Sequence, residues 1–261
     1  MLKIIKFYYV EEQSILEISD DDAEQLSEFR IGSAVRALNG AQSFDQYIFI
    51  EKSKSKIEEL RARSADHKLS SRCKYIKGDA NEELQKICRK KWKDRRAVVF
   101  LDPFGNAVAW ETLEAIAATE SIDVWYLFPS GNGVFRQISN NGTVTPEAAA
   151  SLDRLFGTND WRSEFLKEEH VDGLFEVTVE VRKSVTPESA TQFMINRMRS
   201  IFKGGVLDET LPLGDPKNGY PLFSLIFAWG SPRKKAGEIA KSAAGYILKS
   251  KEKDSGWIFR D

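Results

Sequence analysis

Asp102, Pro103 and Phe104 close a run of five apolar residues, Ala97-Val98-Val99-Phe100-Leu101, and Gly105 follows them. A carboxylate accepts hydrogen bonds from an amine, the Pro103 carbonyl is a second acceptor, and a phenyl ring stacks on a flat base. Those are the parts needed to hold an exocyclic amino group while it is alkylated. The same residues also read as a strand-to-helix turn in which Asp102 caps the next helix. Glu51 has a matching place after Tyr47-Ile48-Phe49-Ile50, and Asp79 and Asn81 follow Lys74-Tyr75-Ile76-Lys77-Gly78. The two oxygens of a carboxylate match a vicinal diol, which suits Glu51 to a ribose. Asp79 with Asn81 suits an adenine amine. The local alternatives are a helix cap at Glu51 and an Asx-turn at Asp79. A magnesium site built from the same acids would serve a phosphotransferase or nuclease, but no phosphate-binding glycine loop accompanies them.

The elements that must position these groups alternate along the chain. Strands are expected at residues 2–10, 47–51, 74–79, 97–101, 123–129 and 222–229, from short apolar runs bounded by turn residues. Helices are expected near 32–38, 54–65, 81–91, 110–120, 188–202 and 232–249, from apolar residues at helical spacing. Residues 97–101 read as a strand buried on both faces. Residues 134–174 read as mainly helix and loop, with a helix start at Pro146. Glu176 to Val181 alternates strictly, and with the last apolar strand it is expected to form an antiparallel edge. Strands alternating with helices predict an α/β fold with a largely parallel sheet and helices on both faces. In such sheets ligands bind outside the carboxyl ends of the strands, where these acids would stand.

Composition narrows the classes. With 38 Lys and Arg against 39 Asp and Glu, the net charge of −1 gives no global attraction to nucleic acid or membranes. One stretch departs from that balance: Lys86, Arg89, Lys90, Lys91, Lys93, Arg95 and Arg96 precede the 97–101 strand. It reads as a solvated helix end at its negative pole or as a phosphate contact, and Arg233, Lys234 and Lys235 add a second basic group. Cys73 and Cys88 lack C-x-x-C spacing, and His67 and His170 lie in unrelated contexts, so no metal site is expected. No apolar run reaches membrane-spanning length and no signal peptide opens the chain, so a cytoplasmic location is expected.

Gly32-Ser33-Ala34 with Ala37-Leu38, Tyr47 to Glu51, Gly78-Asp79-Ala80-Asn81, Phe100-Leu101-Asp102-Pro103-Phe104-Gly105 and the stretch from Tyr220 to Pro232 resemble the three-Cys-motif partner protein family. That resemblance implies a Rossmann-like fold of the class I S-adenosylmethionine-dependent methyltransferases, with a single α/β domain over residues 31–261 and a helical insertion near 134–174. It implies S-adenosylmethionine as cofactor at Glu51, Asp79 and Asn81, with Asp102, Pro103 and Phe104 as the catalytic group. The chemistry of Asp102, Pro103 and Phe104 themselves, rather than the resemblance, makes an amino group of a base in RNA or DNA the expected methyl acceptor, and the resemblance makes a three-Cys-motif protein the expected partner. The family pattern opens with a glycine-rich loop after its first strand. Here the first thirty residues contain no glycine, and Phe7-Tyr8-Tyr9-Val10-Glu11-Glu12 stands in that place. Close backbone approach to a ligand needs glycine. Residues 1–30 therefore read as a divergent or truncated segment, weak cofactor binding is expected, and a non-catalytic partner subunit is the alternative function.

Overall fold

The computed structural model describes residues 2–8, 38, 44–172, 177–214 and 219–252, the first strand by its backbone. The helix expected at 32–38 lies outside the described residues except for Leu38, which is helical. Strands β1 (Leu2–Tyr8), β2 (Tyr47–Glu51), β3 (Cys73–Lys77), β4 (Arg96–Asp102) and β5 (Ile122–Phe128) run parallel in the order β3-β2-β1-β4-β5. Helices α1 (Lys54–Arg63), α2 (Ala80–Cys88) and α3 (Trp110–Ala117) connect them. Then come α4 (Pro146–Phe156), α5 (Trp161–Phe165), β6 (Leu166–Asp172), β7 (Val177–Lys183) and α6 (Pro187–Arg199). The chain continues through β8 (Gly205–Val206), β9 (Leu211–Leu213) and β10 (Phe223–Trp229) into α7 (Lys234–Glu252). β10 lies antiparallel beside β5, and β8 and β9 both pair with β10. The result is the doubly wound, largely parallel α/β sheet with an antiparallel edge that the sequence predicts.

Local chemistry accounts for the elements. Asp79 N-caps α2, whose buried residues Ala80, Leu84, Ile87 and Cys88 fall on one side, with Glu82 and Glu83 in its first turn. Thr145 caps α4, Pro146 opens it, and Gly157 ends it at φ 64°, a left-handed conformation in which glycine carries no Cβ penalty. Thr186 and Ser189 form a capping box at α6.

One face of the sheet packs Ile50, Val99, Leu101, Val124, Phe128 and Ile226 against α2, α3, α4 and α6. On the other face Tyr47 and Phe49 meet Ile57 and Leu60 of α1, and Phe227 and Trp229 meet Ala244 and Leu248 of α7.

Three expectations are corrected. Residues 97–101 are not buried on both faces: Ala97, Val99 and Leu101 are buried, but Val98 and Phe100 are only half-buried. Among the described residues α1 covers β2 and β3, and α7 covers β9 and β10, so the middle of that face lies between them. The alternating strand β7 does not join the last strand. It pairs with β6 in a separate two-stranded sheet, and β6 lies within the stretch expected to be helix and loop. Lys167, Glu168, Glu169 and His170 give β6 no apolar alternation, so its strand character comes from pairing with β7.

Candidate functional site

Register fixes where the strand-end acids stand. Ile76, Ile50, Phe7, Leu101 and Tyr126 form one row across β3, β2, β1, β4 and β5. One residue further on, Lys77 pairs with Glu51, and Tyr8 pairs with Asp102. Glu51 and Asp102 therefore flank the end of β1 in the same row. With two strand spacings between them, their Cα atoms are about 10 Å apart. The strand order reverses between β1 and β4, which makes this the switch point where doubly wound folds bind ligands.

Glu51 is only 3% exposed, and its Oε1 accepts the Ser53 N–H at 2.8 Å. Ser53 in turn N-caps α1, so this carboxylate also sets the strand-to-helix turn. Asp79 follows the row on β3. Its Oδ1 accepts the N–H groups of Asn81 (2.9 Å) and Glu82 (3.4 Å). The local reading of Asp79 is thus realised in the fold.

Asn81 is committed within the chain. Its Nδ2 donates to the Ala107 carbonyl at 2.9 Å, while its Oδ1 accepts the Ala109 N–H and the Thr112 hydroxyl, both at 2.9 Å. Ala109 is the N-cap residue of α3 and has no capping side chain of its own, so Asn81 supplies the acceptor from another element. This side chain ties the end of β3 to the turn after Asp102.

That turn is fixed on its other side as well. Asp102 is half-buried, Pro103 is buried, Phe104 is 37% exposed, and Gly105 takes φ 55° to turn the chain inward. Asn106 is buried and donates from Nδ2 to the Gly133 carbonyl at 3.0 Å. Arg154 of α4 donates to the carbonyls of Asn106 (3.2 Å) and Ala107 (3.3 Å). Behind Asp102 lies a cavity of about 10 Å³ lined by Leu84, Leu101, Pro103 and Thr112, room for about one water. The sequence brings Glu51, Asp79, Asn81 and Asp102 to one end of the sheet as expected. It did not flag Asn106 or Arg154. Asn106 follows a Gly turn, which is a usable signal, whereas Arg154 comes 48 residues later with no spacing cue.

No protein-family model matches the sequence, and no curated protein matches it. Among solved structures it is similar to a protein described as a caffeoyl-CoA O-methyltransferase from Staphylococcus aureus (11% identity, TM-score 0.34, 69% of this chain and 75% of that one). It is also similar to the CcbJ methyltransferase from Streptomyces caelestis (11% identity, TM-score 0.36, 88% and 84%). A third likeness is to a protein from Bordetella parapertussis described as exported (10% identity, TM-score 0.36, 88% of this chain and 62% of that one). Strand order and direction make the fold a doubly wound, largely parallel α/β sheet with an antiparallel edge. Among the described residues no three metal-ligating side chains converge, and no helix is long and apolar enough to cross a membrane.

Proposed function

We propose that this chain is an S-adenosylmethionine-dependent methyltransferase acting on an exocyclic amino group of a base in RNA or DNA. The observation that carries the reading is the shared row of Glu51 and Asp102 across the switch point, with the exposed ring of Phe104 directly after it. The cofactor supplies a methyl group already activated on sulfur. Glu51 would take the ribose hydroxyls. Glu51 is 3% exposed, so its burial would have to be relieved for that contact, which would weaken binding. Asp79, fixed at the end of β3, would meet the adenine amine, and Asn81 would act with it by holding the turn. Asp102 and the Pro103 carbonyl would accept the two N–H groups of the target amine and keep its lone pair directed into the crevice. Phe104 would stack on the base, a contact worth about 1–3 kcal/mol in single-strand binders. Positioning is then the main source of acceleration, and a duplex target would need its base flipped out.

Calorimetry with S-adenosylhomocysteine tests the first half, with a Kd in the tens of micromolar expected, roughly −6 to −7 kcal/mol. Transfer of labelled methyl to total cellular RNA and DNA tests the second half. Asp102→Ala should abolish it, and Phe104→Ala should raise KM with a smaller effect on kcat. Equal transfer by Asp102→Ala and the parent removes Asp102 from the mechanism.

A second reading, a non-catalytic subunit of a three-Cys-motif protein in the cytoplasm, is favoured by one observation. β1 ends at Tyr8, and no glycine follows until Gly32. Absence of S-adenosylhomocysteine binding at millimolar concentration would select it.

A further inference from the structure

At the opposite end of the sheet, where β4 and β5 begin and β10 ends, lies a pocket of about 430 Å³. Lys90 and Lys93 enter it from the loop after α2, Arg96 from the start of β4, and Arg233 from the turn before α7. Glu120 is the carboxylate in its lining, and it is bound to Lys203 at 2.6 Å. Among the described residues Lys90, Lys93 and Arg233 form no ion pair. Arg96 donates to Ser121 Oγ at 2.9 Å and lies near Asp123, whose carboxylate accepts the Gly230 N–H at 3.0 Å. Asp94, exposed beside Lys93, is the remaining acid of that loop.

Solvated helix ends do not account for this much charge. The carboxyl ends of α2 and α3 each present about half a negative charge, which roughly one cation would balance. Four cations line the pocket. Arg233, Lys234 and Lys235 moreover stand at the positive pole of α7, which has no acid in its first turn, an arrangement that the helix itself disfavours. A bound anion relieves both. The cations come from two separate stretches of chain and are exposed apart from Arg96, as suits successive phosphates of a strand better than one phosphate group. The Trp92 indole N–H is already donated to the Cys88 carbonyl at 3.2 Å and the side chain is partly buried, so the pocket offers charge rather than a stacking platform.

We propose that this pocket binds the phosphates of a single nucleic-acid strand without regard to sequence. The six residue steps of β4 place it about 20 Å from Asp102. The proposal rests on the charge of the pocket and stands apart from methyl transfer.

The test is fluorescence anisotropy with a 5′-labelled oligouridylate, which carries no exocyclic amine and so offers no methyl acceptor. Three phosphate contacts predict a slope of log K against log salt near −2, at about −0.7 per contact. The triple variant Lys90→Ala, Lys93→Ala, Arg233→Ala should bind about tenfold or more weakly with a flatter slope, while Lys54→Ala on α1 leaves both unchanged. Glu120→Gln, which removes the lining carboxylate and its ion pair with Lys203, should tighten binding about twofold or more. A folded triple variant with the affinity and slope of the parent overturns the proposal. If that variant fails to fold, Glu120→Gln decides, and unchanged binding overturns it. Inorganic pyrophosphate binding as tightly as the oligonucleotide would also overturn it, reassigning the pocket to a small phosphate ligand.

Discussion

Asn81→Ala separates a structural role from a ligand role at one position. The amide bonds the Ala107 carbonyl, the Ala109 N–H and the Thr112 hydroxyl. The substitution leaves Ala107 with its bond from Arg154, while Thr112 still accepts from Gln85 at 3.3 Å but its buried hydroxyl loses the acceptor it donated to. The Ala109 N–H, on a residue that is 7% exposed, loses the acceptor that Asn81 supplies. An orphaned buried donor costs about 1–3 kcal/mol, and the lost cap belongs to the same term. Adding about 1 kcal/mol for the remaining bonds gives a total of about 2–4 kcal/mol. For a chain of this size that is a fall in Tm of roughly 5–15 °C. Asn81→Asp keeps both accepted bonds and should lose less than half as much. Urea melts of the three proteins provide the measurement, with S-adenosylhomocysteine calorimetry alongside. A loss under about 0.5 kcal/mol, the scatter of ordinary surface substitutions, would refute the structural role. Unchanged stability with much weaker ligand binding would make Asn81 a ligand residue instead.

The remaining predictions rest on separate features. Gly157→Ala should cost about 2–5 kcal/mol, because its φ is 64° and a Cβ would stand 2.1 Å from Trp110 Cδ1; a melt within 1 kcal/mol of the parent refutes this packing. Asp153 accepts from Trp161 Nε1 (2.8 Å) and from Arg162 (2.7 Å), and the Arg162 bond first of all holds its carboxyl below the usual range. A lowered acid stabilises above its unfolded pKa, and that stabilisation is lost as pH falls through the folded value. Asp153→Asn should therefore cost about 0.2–1 kcal/mol at neutral pH, screened because the pair is exposed, and the difference should fade as pH drops below the ordinary carboxylate range. Burial pushes the Cys88 thiol up to about 12 and raises Cys73 as well, so a thiol reagent at pH 8 should leave Cys88 unmodified until guanidinium unfolds the chain.

The parallel core was legible because its signals are local. The apolar run before Asp102 and the spacing of Leu84, Ile87 and Cys88 each need one segment to be read. β6 was not legible, because Lys167 to His170 carries no period and becomes a strand through β7. The site divides in the same way. The strand-end position of Glu51 and Asp102 follows from their sequence context, but their common row depends on register with β1. Asn81 could not be resolved from sequence, since one amide satisfies a ligand and a helix end equally well. The turn delivered to it by β4 supplies the helix-end partners, Ala107, Ala109 and Thr112.

In a parallel sheet, residues that precede strands and residues that follow them lie at opposite ends of the molecule. Basic residues precede β4 and follow β10, which runs the other way, so they gather at one end. Acids close β2 and β4 at the other end. A net charge of −1 sums over this polarity and conceals it. The two ends should then behave independently. Sites more than about 7–10 Å apart without shared partners add within about 0.3–0.5 kcal/mol, and about 20 Å of β4 separates Asp102 from the basic pocket. Asp102→Ala combined with Lys90→Ala and Lys93→Ala should therefore show, in urea melts and in oligouridylate binding, the sum of the separate effects. A coupling above about 1 kcal/mol would mean that β4 transmits between its ends and that the sheet is not the rigid spacer this arrangement requires.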